Sequence, residues 1–170
     1  MLLIERGDFA TGLRQLRAGM VELHGTALAS HNSLFHAAVA RGLAASDRVA
    51  EGLASINELL ARCSRNEELW CISELLRIKG AIVLHEGAPG AAATAEDHFL
   101  KSLDVARQQG ALSWELRCAT NLASVWHEQG RNREAGALLG PVYDRFTEGF
   151  ETVDLRSAKA VLDLLRSHVD

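Results

Sequence analysis

Residues 110–143 read GALSWELRCATNLASVWHEQGRNREAGALLGPVY, and this stretch decides the fold. Leu116, Ala119, Ala123 and Trp126 are spaced by three, four and three residues, which places them on one face of an α-helix. Gly130 suits the left-handed residue that commonly ends a helix. Asn132 is positioned to cap the next helix by accepting a backbone hydrogen bond. Ala135, Leu138, Leu139, Val142 and Tyr143 mark a second apolar face. Two helices joined by so short a turn run antiparallel and pack together. Small side chains at Ala119, Ala123 and Ala135 let their backbones approach closely. Pro141, following Gly140, is expected to kink or restart the second helix.

Looser versions of this unit flank it. Phe9, Leu13, Leu16, Met20 and Leu23 form an amphipathic helix in alternating steps of four and three. A helix from about Ser33 to Ala45 precedes another from about Arg48 to Cys63, for which Asp47 is the expected cap. Ala40 and Gly52 take the small positions of that pair. The stretch 69–84 carries Ile72, Leu75, Leu76, Ile78, Ile82, Val83 and Leu84 around Gly80, so this helix is apolar on several sides and belongs in the middle of the molecule. The loop EGAPGAAAT (86–94) interrupts the chain, and Thr94 is the expected cap of the helix that follows. A last helix carries Leu155, Ala158, Leu162, Leu165 and Val169.

The equivalent small residues Gly12, Gly52, Ala95 and Ala135 lie 40, 43 and 40 positions apart, the longer middle step containing the Gly-Ala loop. The expectation is a single all-α domain over 1–170, built of about eight helices. It comprises a half-repeat (8–25), hairpins at 31–65, 67–110 and 112–148, and a terminal helix at 153–169. The unpaired first helix favours a fragment of a longer protein, while the initial Met leaves an independent product open.

Composition narrows the function. Apolar residues are 48% and charged residues 24% of the chain, and only two prolines occur, which suits a helical globular protein. A formal charge of −4 and a pI near 6.0 argue against nucleic-acid binding, which wants a basic face. No stretch approaches the ~20 apolar residues of a membrane span. The opening MLLIERGDF lacks the basic leader and long apolar core of a signal peptide. Cys63, Cys71 and Cys118 are odd in number and without CxxC spacing, so a reduced, cytoplasmic protein is the simplest reading.

The 110–143 pattern resembles a tetratricopeptide repeat, whose small residues fill the eighth and twentieth positions, with a bulky eleventh and a Gly at the turn. Ala123, Trp126, Gly130 and Ala135 take those places, while Ala119 stands where the signature Trp would be. A period near 40 exceeds the usual repeat of about 34 residues, so the helices here are longer. SELLRIKGAIVLHEG (73–87) and the run 95–165, above all ARQQGALSWELR (106–117) and VYDRFTEGFETVDL (142–155), are similar to the C-terminal repeat region of large bacterial signalling proteins. Those proteins join an adenylate cyclase domain or a DNA-binding winged helix to an ATPase module and then to helical repeats. The resemblance implies a right-handed superhelix of antiparallel hairpins, in which the repeats bind or sense while chemistry sits upstream.

No motif for chemistry is present in this chain. There is no GxxxxGK[ST] loop, His85-Glu86 lacks the second His of HExxH, and no Ser-His-Asp or Cys-His arrangement can be built. Catalytic residues, metal ligands and cofactors are therefore expected to be none. First helices of each hairpin line the concave face of such a solenoid, the usual groove for peptides. Their non-packing positions are Arg41; Glu74, Arg77 and His85; and Arg117, Thr120, Asn121, Ser124, His127 and Glu128. Arg77, Arg117 and Asn121 suit a carboxylate or backbone amides, since Arg offers a planar fork of donors; an i,i+3 pair of Glu74 with Arg77 on a solvated face is the plainer alternative. The expected function is a non-catalytic scaffold binding a protein or peptide. A second expectation is a homodimer formed through Phe9, Leu13, Leu16 and Met20. A third, of least weight, is a portion of an adenylate cyclase without its catalytic domain. Trp70, Trp114 and Trp126 are too far apart in sequence to read as a stacking platform, and Trp126 is expected in helix packing.

Overall fold

The computed structural model describes residues 9–23 and 32–167. Regular structure within them is helical: α1 (Phe9–Leu23), α2 (Asn32–Ala44), α3 (Val49–Arg65), α4 (Ile72–Glu86), α5 (Ala91–Gln108), α6 (Leu112–Glu128), α7 (Asn132–Tyr143) and α8 (Val153–Arg166). A short 3-10 turn, Leu69–Cys71, leads into α4. No strand occurs among the described residues. The all-α expectation of about eight helices therefore holds.

Helices at the edges of the packing bury one stripe. In α3, Gly52, Ile56, Leu59 and Cys63 are buried while Asn57 and Glu58 face water. In α8, Leu155, Ala158, Leu162 and Leu165 are buried while Arg156, Lys159 and Asp163 are exposed. Such spacing hides apolar surface at about 25 cal/mol per Å². α4 differs because it is buried on several sides, at Leu75, Ile78, Gly80, Ile82 and Val83. It touches α2, α3, α5 and α6, so it does occupy the middle.

Each helix packs on the next in sequence, and the alternate helices α2, α4, α6 and α8 also touch one after another. Those four make one continuous layer. The closest pairing, α4 with α5, has two visible causes. A Cβ built on Gly80 would stand 2.7 Å from the ring of Phe99, so only glycine admits that fully buried ring. Beside it, Ser73 Oγ donates to the Ser102 carbonyl at 2.9 Å and Ser102 Oγ donates to the Ser73 carbonyl at 2.6 Å. These buried hydroxyls satisfy one another across the seam, as polar groups out of water must. Gly52 serves the α2–α3 pair in the same way, since a Cβ there would meet the Ala40 carbonyl oxygen at 2.7 Å.

Cys63, Cys71 and Cys118 are all free and without exposed surface. The sulfurs of Cys63 and Cys71 lie 3.9 Å apart in the core shared by α2, α3 and α4. Burial, and then the neighbouring Cys63, push the Cys71 thiol up to about 12. Burial also raises Cys118.

Helix ends depart from the sequence reading in four places. Asp47 does not cap α3; it is left-handed, with φ of 60°, and belongs to the turn after α2. Asn132 is the first residue of α7 rather than its cap, and its Oδ1 lies 2.7 Å from His127 Nδ1. Thr94 lies inside α5, which starts at Ala91, and its hydroxyl donates back to the Gly90 carbonyl. Pro141 does not restart α7, which runs on to Tyr143. Its ring falls in the last turn, where the helix has only two residues left to run. At the cap positions of α3 and α7 stand Arg48 and Arg131, each bidentate to a Glu three residues on, Glu51 and Glu134. This places a carboxylate in the first turn, where it opposes the positive end of the helix dipole.

Leu13 and Leu16, expected on an open face awaiting a second copy, are instead buried with Ala38, Val39 and Leu43 of α2. The neighbouring helix already covers that stripe. The side chains of Phe9 and Met20 lie outside the described residues.

Candidate functional site

The layer formed by α2, α4, α6 and α8 carries a groove of about 870 Å³. Leu34, Ala38 and Arg41 line it from α2, Glu74, Arg77 and Ile78 from α4. Trp114, Arg117, Thr120 and Asn121 contribute from α6, and Val153, Asp154 and Ser157 from α8. Register explains this set. Leu34, Glu74, Trp114 and Asp154 are each 40 positions apart, as are Arg77, Arg117 and Ser157. These four alternate helices therefore present equivalent positions to the same space.

A ladder of charge-assisted bonds crosses the floor. Arg77 grips Glu74 with two bonds of 2.8 Å, from Nε and Nη2, and donates from Nη1 to Asn121 Oδ1 at 3.1 Å. Arg117 Nη1 reaches the same Glu74 at 3.2 Å, and its Nε donates to Asp154 Oδ2 at 2.7 Å. The ladder thus joins α4, α6 and α8. Its members are unequally buried: the Glu74 and Arg77 side chains are 7% and 12% exposed, those of Asp154 and Arg117 35% and 37%. Burial alone would push the Glu74 carboxyl up. The bonds and charge of Arg77, followed by the charges of Arg117 and Arg41, outweigh it and hold Glu74 below its ordinary 4.5. Burial would likewise lower Arg77, but Glu74 wins and raises it.

The two ends of the ladder therefore have different work. Breaking a buried ion pair by removing one partner costs about 3–5 kcal/mol, because a charge is stranded. A more exposed pair is worth roughly 0.2–1 kcal/mol. Arg77 with Glu74 holds the floor together, while Arg117 with Asp154 is exchangeable. Arg77 does line the groove, but its loss would take from the buried Glu74 its two shortest bonds, so Arg77 is a poor probe of binding.

Of the ten residues expected on this face, Arg41, Glu74, Arg77, Arg117, Thr120 and Asn121 line the groove. His85, Ser124, His127 and Glu128 do not. They sit in the later turns of α4 and α6, past the groove. Ser124 donates to the Thr120 carbonyl, His127 pairs with Asn132, and His85 and Glu128 are exposed. Asp154 and Ser157 escaped the sequence reading, although adding the repeat period to Trp114 and Arg117 points to them.

One aromatic pair also corrects the sequence reading. Trp70 stacks on Trp114, with ring centroids 6.2 Å apart and planes 29° from parallel. The 3-10 turn before α4 brings the two indoles together across 44 residues of sequence. Trp114 lies in the first turn of α6 and Val153 begins α8, so this end of the groove is apolar. Trp126, expected in packing, does pack, half-buried, against the core built by α4 to α8, with Nε1 donating to Glu96 and Arg131 lying 4.5 Å over its ring.

Among the described residues no three His, Cys, Asp or Glu side chains come together to hold a metal ion. No described helix is long and apolar enough to cross a membrane. No protein-family model matches the chain, and no curated protein matches it.

Proposed function

We propose that this chain is a non-catalytic interaction module that binds a peptide, or an extended segment of a protein, in the groove along α2, α4, α6 and α8. The reading takes the helices as a right-handed superhelix of tetratricopeptide-like hairpins, with those four lining its inner side. It takes the parent as a bacterial signalling or regulatory protein, as the resemblance implies, and its place as the cytoplasm, as the odd number and spacing of the cysteines suggest. The observation that carries it is the groove itself, with a polar floor built from three helices and an apolar end at Trp114 and Val153. Ligand sites characteristically combine apolar walls with a few placed polar groups.

Selection of phage-displayed random hexapeptides on the folded protein tests this. Enriched peptides are expected to lose binding to the Ser157→Trp variant, whose indole fills the groove from an exposed position on α8. Retention of binding by that variant would put the site elsewhere, and no enrichment on the wild type would sink the reading.

A further inference from the structure

We infer that the groove takes an acidic peptide whose carboxylate displaces Asp154 from Arg117, so that Asp154 is a competitor for the ligand built into the fold. The inference rests on the peptide-groove reading above and names the chemistry of its ligand.

The two carboxylates facing the groove are not equivalent. Glu74 is almost wholly buried and accepts three bonds, two from Arg77 and one from Arg117. Asp154 is about one-third exposed, and Arg117 donates to it from Nε. It belongs to the first turn of α8, at the open wall of the groove. A rotation of its side chain toward water gives up a pair of small net worth. The guanidinium then presents its planar edge to an incoming carboxylate, which can meet it as a bidentate pair. Displacing Glu74 instead would strand a buried charge, so the exchange falls at Arg117.

Charge points the same way. The groove is lined by three guanidinium groups, Arg41, Arg77 and Arg117, against two carboxylates, although the whole chain carries −4. When Asp154 turns outward, the cationic surplus at the floor grows. The residue beside the acid is specified too. Trp114 precedes Arg117 by three positions, so the two lie on one helix face, one turn apart. Trp70 holds Trp114 by stacking, and Val153, 69% exposed, stands next to Asp154. A ligand carboxylate on Arg117 therefore sets a neighbouring aromatic or aliphatic side chain against Trp114 and Val153.

Hexapeptides recovered from the selection above, labelled with fluorescein, would be titrated by anisotropy against the wild type, Asp154→Asn and Arg117→Gln. Each would be paired with a copy carrying Gln or Asn in place of Glu or Asp. The enriched sequences are expected to carry Asp or Glu next to an aromatic or aliphatic residue, and their amide copies to bind more weakly. Asp154→Asn should tighten the acidic peptides roughly five-fold and leave the amide copies little changed. Arg117→Gln should erase the difference between the two copies. Amide copies that bind the wild type as well as the acids overturn the inference, as does Asp154→Asn binding the acids no tighter. Both results can be read even if Arg117→Gln fails to fold. Peptides that lose binding to Ser157→Trp but show no preference for acid would leave the groove reading standing and remove this inference alone; no enrichment on the wild type removes both.

Discussion

The turns after α2 and α3 and the turns after α5 and α6 share one backbone and differ in the residue that carries it. Asp47 and Glu67 are left-handed, with φ of 60° and 56°; Gly110 and Gly130 are left-handed, with φ of 64° and 76°. In all four, the amide of the next residue bonds to a carbonyl five positions back: Arg48 to Leu43, Glu68 to Cys63, Ala111 to Ala106 and Arg131 to Trp126. This is the Schellman closure of a helix. A side chain at the left-handed position costs about 1–2 kcal/mol, and Asp bears it better than Glu. The comparison teaches that packing of the following helix dictates the turn, and the sequence complies fully only in the C-terminal half.

Acid is expected to act most strongly, and to separate the two halves. Glu74, Glu96 and Glu115 lie in α4, α5 and α6. In each, burial pushes the carboxyl up but arginine bonds prevail and hold it below the ordinary 4.5. Glu115, buried, is clamped by Arg107 of α5 and by Arg145 just past α7. A folded value below the unfolded one means the unfolded chain takes up protons first. This stabilisation is complete above about pH 4.5 and is lost as pH falls through the lower folded values. Thermal midpoints should hold from pH 7 to 5 and then fall, with amide-exchange protection lost earlier in α4–α7 than in α2–α3. A flat midpoint down to pH 3 would contradict it.

Next in size is Gly52→Ala, which drives a methyl group into the Ala40 carbonyl and should destabilise by about 2–3 kcal/mol in urea unfolding. Gly136→Ala in α7 is the matched control, since nothing lies within 4 Å of its Cβ. Helix propensity should make that variant slightly more stable, by about 0.5–1 kcal/mol. Equal effects at the two sites would mean that the α2–α3 seam can open to admit a methyl group.

Exchanging the turn residues gives the smallest change. Glu67→Gly should stabilise by about 1 kcal/mol and Gly130→Ala should destabilise by a similar amount. A loss of stability in Glu67→Gly would show that the Glu side chain contributes more than its backbone costs.

The apolar period made the helices legible, and the small residues at Gly52, Gly80 and Ala135 marked where they touch. Helix starts were less readable because residue type has two meanings there. Asp caps helices but also tolerates the left-handed turn, and at Asp47 the turn prevails because α2 must close before α3 begins. The period is also written in the left-handed residues that close a helix, which fall at 47, 67 and 87 and again at 110 and 130, apart from Gly90 and Gly149 elsewhere in the turns. Two of those five are acidic, so a search for turn glycines passes over them. In the groove, Arg117, Thr120 and Asn121 followed from helical projection. The indole pair did not, since Trp70 belongs to a 3-10 turn that has no apolar period of its own.

The three sealed thiols turn the native protein into its own reporter. A thiol reagent can reach Cys63 and Cys71 only when the core between α2, α3 and α4 opens, and Cys118 only when the seam beside Ser73 and Ser102 parts. Rates of labelling at each sulfur would therefore measure separately how often the two regions breathe, with no probe introduced and no residue exchanged.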